Sequence, residues 1–209
     1  MNAKMKKRPE EPPLRILHRG VVVAPLLQQL EAAPDLWDEN VFRTEGAGPY
    51  SGPHGRTSDI IVRFNDWANW TGDRAKFNEE HESVWWGAYD KLPYLQPLVF
   101  DLMRKFYAER LGMVLITRIP PKGKIGKHVD TGWHARHYLK FAVQVKSAPG
   151  QFFCYPGTQF ETQPGDLYAF DNSIPHWVEN PTDEERITLI VCLRLQQPLC
   201  YDYHYAGAS

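Results

Sequence analysis

The pattern of apolar and polar positions changes once along this chain, at Gly112. Before it, the clearest periods are helical. Leu26, Leu27, Leu30 and Ala33 recur at helix spacing within Ala24 to Trp37 and predict a short helix. In QPLVFDLMRKFYAERLG (96–112), Leu98, Val99, Leu102, Met103 and Phe106 recur at steps of three and four. They predict a longer helix stopped by Gly112. SDIIVRF (58–64) predicts a strand. RTEGAGPYSGPHGR (43–56), with four glycines and two prolines, predicts a loop. Residues 65–94 are rich in Trp, Asn and Gly and keep no period. A long aromatic connection is expected there, with Trp67, Trp70, Trp85 and Trp86 as a cover over a binding site or, for half of them, simply as core.

After Gly112 the period shortens. MVLITRI (113–119), YLKFAVQV (138–145), QFFCY (151–155), DLYAF (166–170), HWVEN (176–180) and RITLIVCLR (186–194) predict strands. They are separated by the turn signals PPKG, APG, PGT, QPGD and NPTDEE. Short, closely spaced strands joined by tight turns indicate an antiparallel sandwich or barrel. ITLIVCL is apolar on both alternating faces, so helices packed outside the sheet are expected to cover it. The fold class is therefore mainly β with flanking helices. The expected organisation is a leader at 1–13, one domain over 14–195 (helical and loop-rich to 112, β core from 113), and a tail at 196–209.

Composition narrows the class. The chain has 209 residues, 43% hydrophobic and 23% charged with seven tryptophans, which suits one domain with a full core. A formal net charge of -1 excludes a field that would gather nucleic acid or anionic lipid. Basic residues cluster only at Lys4, Lys6, Lys7 and Arg8, expected as a solvated tail. The apolar runs VVVAPLL and ITLIVCL are too short to cross a bilayer, and the N-terminus does not have the form of a secretory signal. Cys154, Cys192 and Cys200 form no CxxC motif. A reduced, cytoplasmic protein is expected, with Cys154 and Cys192 as strand packing.

Candidate chemistry begins at KHVDTGWHARH (127–137), which holds three of the eight histidines. On extended backbone His128 and Asp130, two apart, project to the same side, supplying an imidazole and a carboxylate. His176, 46 positions beyond Asp130, is the best third ligand. Two histidines and one carboxylate on one face of an octahedron are the donor set of non-haem Fe(II) oxygenases. Arg186 lies ten positions further on, across the PTDEE turn, and is expected to face the same cavity from the adjacent strand of a hairpin. A guanidinium buried in an apolar cavity needs an anion, and a dicarboxylate co-substrate supplies one. Asp171 and Asn172 are expected to shape the turn before His176.

The run RIPPKGKIGKHVDTG…RHYLKFAVQV…PGDLYAFDNSIPHWVENPTDEERITLIV resembles the aspartyl/asparaginyl β-hydroxylase family of 2-oxoglutarate- and Fe(II)-dependent oxygenases. The resemblance covers roughly residues 113–194 and includes hydroxylases of free proline among its members. It implies a double-stranded β-helix (jelly roll, cupin-like) with His128, Asp130 and His176 as iron ligands. It also implies that Arg186 grips the far carboxylate of 2-oxoglutarate. The family often carries Arg-x-His entering the next strand. Here the matching run is Arg136-His137-Tyr138, which makes Arg136 and Tyr138 candidates for the second co-substrate anchor, with Arg118 a further one. The implied reaction consumes 2-oxoglutarate and O2 and hydroxylates an unactivated C–H bond of an amino-acid side chain, either a peptidyl Asp/Asn-like residue or a free amino acid such as proline.

Two other readings fit part of the sequence. A non-catalytic jelly-roll module would bind a ligand without chemistry. A cupin-type zinc isomerase or hydrolase would enlist His134 or His137, which otherwise stand as bystanders.

Overall fold

Eleven strands, all paired antiparallel, form two facing sheets in the computed structural model, which describes residues 12–40 and 52–197. Most of the expected leader, most of the glycine-rich loop, the tail beyond 197 and Cys200 lie outside the described residues. In chain order the strands are β1 (Leu14–His18), β2 (Ser58–Asn65), β3 (Ser83–Trp85), β4 (Ala108–Ile119), β5 (Lys124–His128) and β6 (Leu139–Lys146). They continue with β7 (Phe152–Tyr155), β8 (Thr158–Glu161), β9 (Leu167–Phe170), β10 (His176–Glu179) and β11 (Arg186–Leu195). The larger sheet runs β1-β9-β6-β11-β4-β2-β3 and the smaller β5-β10-β7-β8. The helices are α1 (Ala24–Ala32), α2 (Arg74–Phe77), α3 (Ala88–Lys91), α4 (Leu95–Lys105) and α5 (Gly132–His137). This is the antiparallel sandwich that the strand spacing predicts, in the jelly-roll form that the family resemblance implies.

Period-two alternation in the large sheet decides where everything else sits. On β11, Ile187, Leu189, Val191 and Leu193 pack with Leu26 and Leu30 of α1 and Leu95, Val99 and Leu102 of α4. On its other face Arg186, Thr188, Ile190 and Cys192 look into a cavity. The neighbours follow the same rule. Phe141 and Val143 of β6, Leu167 and Ala169 of β9, and Val114 and Ile116 of β4 join the helical core. Lys140, Ala142, Tyr168, Phe170, Leu115 and Thr117 face inward. Helices thus cover the outer face of the large sheet, as expected for a strand apolar on both sides. The small sheet closes over the inner face.

The expected helix over 96–112 is corrected: α4 ends at Lys105, and Ala108 already belongs to β4. Tyr107, at φ 49°, turns the chain between them. AERL has good helix formers, but pairing prevails, with Ala108, Arg110 and Leu111 opposite Leu195, Arg194 and Leu193 of β11. Gly112 is therefore no helix stop. A Cβ there would lie 2.8 Å from His134 Nε2 and 3.0 Å from the Tyr138 ring, so the glycine permits α5 to press onto β4. The first expected helix is also shorter: α1 ends at Ala32 and a 3-10 turn over Pro34–Leu36 follows. The aperiodic 65–94 stretch holds α2, β3, α3 and a 3-10 turn at Trp67–Asn69.

We expect Gly112→Ala to lower stability by about 1–3 kcal/mol in urea denaturation, because β4 or α5 must shift to admit one methyl group.

Candidate metal centre and its cavity

His128 ends β5 and His176 begins β10, and in the antiparallel ladder these two residues are direct partners. Strand pairing therefore brings together imidazoles 48 positions apart in the chain, with ring centroids at 4.3 Å. Asp130 follows β5 by two residues. Its backbone N–H donates to the Asn172 carbonyl at 3.1 Å, tying this loop to the turn that leads into His176. That turn is held by Asp171, whose Oδ1 accepts from the Ser173 backbone N–H and hydroxyl, as expected of a turn-shaping residue.

The ligand atoms of His128, Asp130 and His176 all lie within 4.8 Å of one another. His128 Nε2 is 3.6 Å from Asp130 Oδ1, and His176 Nε2 is 3.9 Å from Asp130 Oδ2. Each Nδ1 faces a backbone carbonyl, Gly126 at 2.8 Å and Ile174 at 2.9 Å. A carbonyl only accepts, so each Nδ1 carries the proton and each Nε2 presents its lone pair toward Asp130. This is how a protein orients metal-binding imidazoles through their second nitrogen. Burial beneath Phe153, Tyr155 and Phe170 disfavours a proton on His176, which favours the neutral imidazole. Burial alone would raise the Asp130 carboxyl. The Lys140 ammonium bonded to it instead holds it well below the usual carboxylate range. Two neutral imidazoles and one carboxylate fit a non-haem iron.

A cavity of about 840 Å³ opens from this cluster between the two sheets. Arg186 lies at its base with 1% exposure. Its Nη2 donates to Thr162 Oγ1 at 2.8 Å, and that hydroxyl donates to Gln144 Oε1 at 2.9 Å. Tyr168, also buried, lies beside Arg186 and Thr188, close enough for its hydroxyl to interact with both. Arg186 Nη1 is buried with no partner among the described residues. Burial pulls the guanidinium pKa down and pushes the Tyr168 phenol up. The geometry differs from the expected hairpin in one respect. β10 and β11 lie in different sheets, so the PTDEE turn carries the chain across the sandwich. Arg186 thus faces the metal candidates from the opposite wall.

Several expected residues land elsewhere. Tyr138 does not line the cavity; its ring packs on His134 at 4.6 Å and against Gly112. It precedes β6 and is held among the rings of α5, so Tyr168 is the tyrosine beside Arg186, on the face of DLYAF opposite to Leu167 and Ala169. Arg118 stacks over Trp37, 4.3 Å from the ring centroid, away from the cavity. Arg136, on α5, is exposed at the cavity mouth. The four tryptophans do not cover the cavity. Trp67 stacks on Trp70 at 5.3 Å, and Trp67, Trp85 and Trp86 line a separate cavity of about 430 Å³ beside β2 and β3. The mouth is instead flanked by Arg74, Asn78, Glu79 and Glu80 from α2 and the turn after it, and by Trp133 of α5.

The zinc alternative loses its nitrogens. His134 Nε2 accepts the Met113 backbone N–H at 3.1 Å, and burial lowers its pKa to about 3, so it stays neutral. His137 stacks on Trp133 and meets Arg194 at 3.0 Å. Cys154 is a free, buried thiol whose pKa burial raises to about 11. No helix among the described residues is long and apolar enough to cross a membrane.

Comparison with known proteins agrees with this layout. A family model described as aspartyl/asparaginyl beta-hydroxylase matches residues 67–195. No curated protein matches. The viral collagen prolyl hydroxylase of Paramecium bursaria Chlorella virus-1, solved as a 2OG complex, aligns over 89% of this chain and 98% of its own at 11% identity and TM-score 0.53. A Trichoplax adhaerens prolyl hydroxylase, in complex with a hypoxia inducible factor peptide fragment, aligns over 87% and 83% at 12% identity and TM-score 0.54. A 2OG-Fe(II) oxygenase family oxidoreductase from Burkholderia pseudomallei aligns over 86% and 92% at 15% identity and TM-score 0.50. At these identities the likeness is one of fold.

His134→Leu should cost about 1–3 kcal/mol by stranding the Met113 N–H, while Mn(II) binding measured by calorimetry stays at the wild-type level. The wild type should also lose stability as pH falls from about 6.5 toward 3, where the unfolded chain protonates this imidazole and the folded one does not. Chemical denaturation at several pH values should find that loss smaller in His134→Leu.

Proposed function

The chain belongs to the aspartyl/asparaginyl β-hydroxylase family, and on that premise we propose that it hydroxylates an amino-acid side chain using Fe(II), 2-oxoglutarate and O2. His128, Asp130 and His176 would hold the iron. The observation that carries the co-substrate assignment is Arg186, a guanidinium 1% exposed with a buried, unpartnered Nη1 and hydroxyl rather than acid neighbours. Leaving such a charge unpaired costs several kcal/mol, so the pocket base is built for an anion that arrives with a ligand. A dicarboxylate satisfies it, with one carboxylate at Arg186 and its 2-oxo-acid end toward the metal ligands. Tyr168 would be the second anchor in place of Tyr138, donating its hydroxyl to the same carboxylate. Thr162 and Gln144 keep the guanidinium fixed in the plane that a bidentate contact requires.

When bound, iron and 2-oxoglutarate supply the oxidation: O2 is consumed, succinate and CO2 leave, and one oxygen atom enters the substrate C–H bond. The chain's own side chains orient the participants. Gly126 and Ile174 carbonyls hold the two imidazoles in their ligating tautomer. Ile119, Ile125, Phe153, Phe170 and Val178 wall the cavity with hydrocarbon and exclude water. The substrate enters past α2 and α5. Arg136, exposed at that mouth, is placed for the substrate rather than the buried end of the co-substrate. The cavity volume exceeds what 2-oxoglutarate needs and leaves room for a side chain with its flanking backbone. This supports a peptidyl Asp/Asn-like residue or a free amino acid, and the Trichoplax prolyl hydroxylase that binds a peptide on the same fold supports the former.

Succinate formation from 2-oxoglutarate with Fe(II) and ascorbate should be measurable in the wild type and absent in His176→Ala. A wild type inert across a panel of amino acids and acidic peptides would count against the proposal. Arg186→Ala should raise the 2-oxoglutarate requirement by roughly 10- to 100-fold, the worth of a charged hydrogen-bonded contact, with Mn(II) affinity unchanged. Tyr168→Phe should raise it several-fold. If neither variant moves that requirement, the anchor is misplaced.

A further inference from the structure

Lys140 contributes a feature that the metal and co-substrate assignments leave unused. It stands on β6, inward, and its ammonium bonds directly to Asp130 Oδ2. Both side chains are largely enclosed, 20% and 17% exposed, so the contact is no ordinary surface ion pair. Lys140 is not drawn there by the far end of the cavity. In the ladder it lies opposite Cys192, six residues along β11 from Arg186, about 20 Å at strand rise. Its stem runs beside Phe170, with Nζ 5.9 Å from the ring centroid.

Asp130 therefore has two claims on one carboxylate. The same group faces His128 Nε2 at 3.6 Å through Oδ1 and His176 Nε2 at 3.9 Å through Oδ2. A divalent cation shared by the three ligands would sit about 2 Å from a carboxylate oxygen. The Lys140 ammonium, hydrogen-bonded to that carboxylate, would then lie within a few ångströms of it, and two cations so close repel in an enclosed site. Without a metal, however, Asp130 needs a countercharge, since an enclosed carboxylate facing two neutral imidazoles is poorly compensated.

We propose that Lys140 is a displaceable stand-in for the metal: its ammonium holds Asp130 in the ligating position and yields that carboxylate when a divalent cation binds. This rests on His128, Asp130 and His176 being the metal site. Lys140 is then a positioning residue with two opposed effects. It stabilises the metal-free protein and weakens metal binding. A merely structural lysine would have the first effect without the second.

The test compares the full-length wild type with Lys140→Met and Lys140→Gln, using Mn(II) as the probe. Calorimetry should show roughly tenfold tighter Mn(II) binding in both variants. Thermal melts of the metal-free variants should fall several degrees below wild type, and saturating Mn(II) should close most of that gap. In an Asp130→Asn background, Lys140→Met should no longer lower the metal-free melting temperature. Unchanged or weaker Mn(II) binding in both folded variants would overturn the proposal. So would an equal loss of melting temperature whether residue 130 is Asp or Asn. A wild type that binds Mn(II) no better than His176→Ala is a separate outcome: it removes the metal site itself and this inference with it.

Discussion

The fold turns on β11, a central strand buried on both faces, one wholly apolar from Ile187 to Leu193 and the other opening with Arg186 and Thr188. Ile187, Leu189, Val191 and Leu193 hold the helices against the sheet. The alternate residues begin with an arginine that has no carboxylate partner among the described residues and is buried. Hydrophobic burial on one side thus fixes a cation in place on the other, and the strand cannot slip by one residue without exchanging the two faces. The cavity, its polar base and its orientation toward the small sheet all follow from that alternation.

The metal candidates depend on a second pairing, β10 against β5, which sets His176 opposite His128. Each imidazole is fixed by a carbonyl two residues earlier in the chain, a local device that the backbone conformation before each histidine supplies. Asp130 is held differently, by the Asn172 carbonyl behind it and the Lys140 ammonium in front. The three candidate ligands are therefore held in different ways, two by backbone carbonyls and one by a charge.

Much of the site was legible in the chain. The spacing of His128 and Asp130, the strand signals around His176, and the polar alternation from Arg186 all point into one cavity of a β-rich fold. The errors share a physical cause. AERLG reads as helix because propensity is local, whereas its partner β11 lies more than 80 residues away. Tyr138 matches a linear motif, but its ring packs on His134 and against Gly112 instead of lining the cavity, and no linear motif shows those contacts. Trp67, Trp70, Trp85 and Trp86 read as a cover because they are large and aperiodic. They pack instead with one another and with Phe77, Arg63 and Tyr89 at the sheet's edge.

By itself, then, the sequence determined the strand-rich class, the helical cover over an apolar strand, and a donor set suited to iron with a cation that demands an anion. These are consequences of side-chain type and of periods two and 3.6, which are written locally. The tertiary structure alone decided that β10 and β11 part into different sheets, that Tyr168 rather than Tyr138 meets Arg186, that His134 spends its lone pair on Met113, and that Lys140 reaches Asp130. Each depends on which strands become neighbours and in what register. That choice is made by long-range burial and backbone pairing, and no short stretch of the chain encodes it.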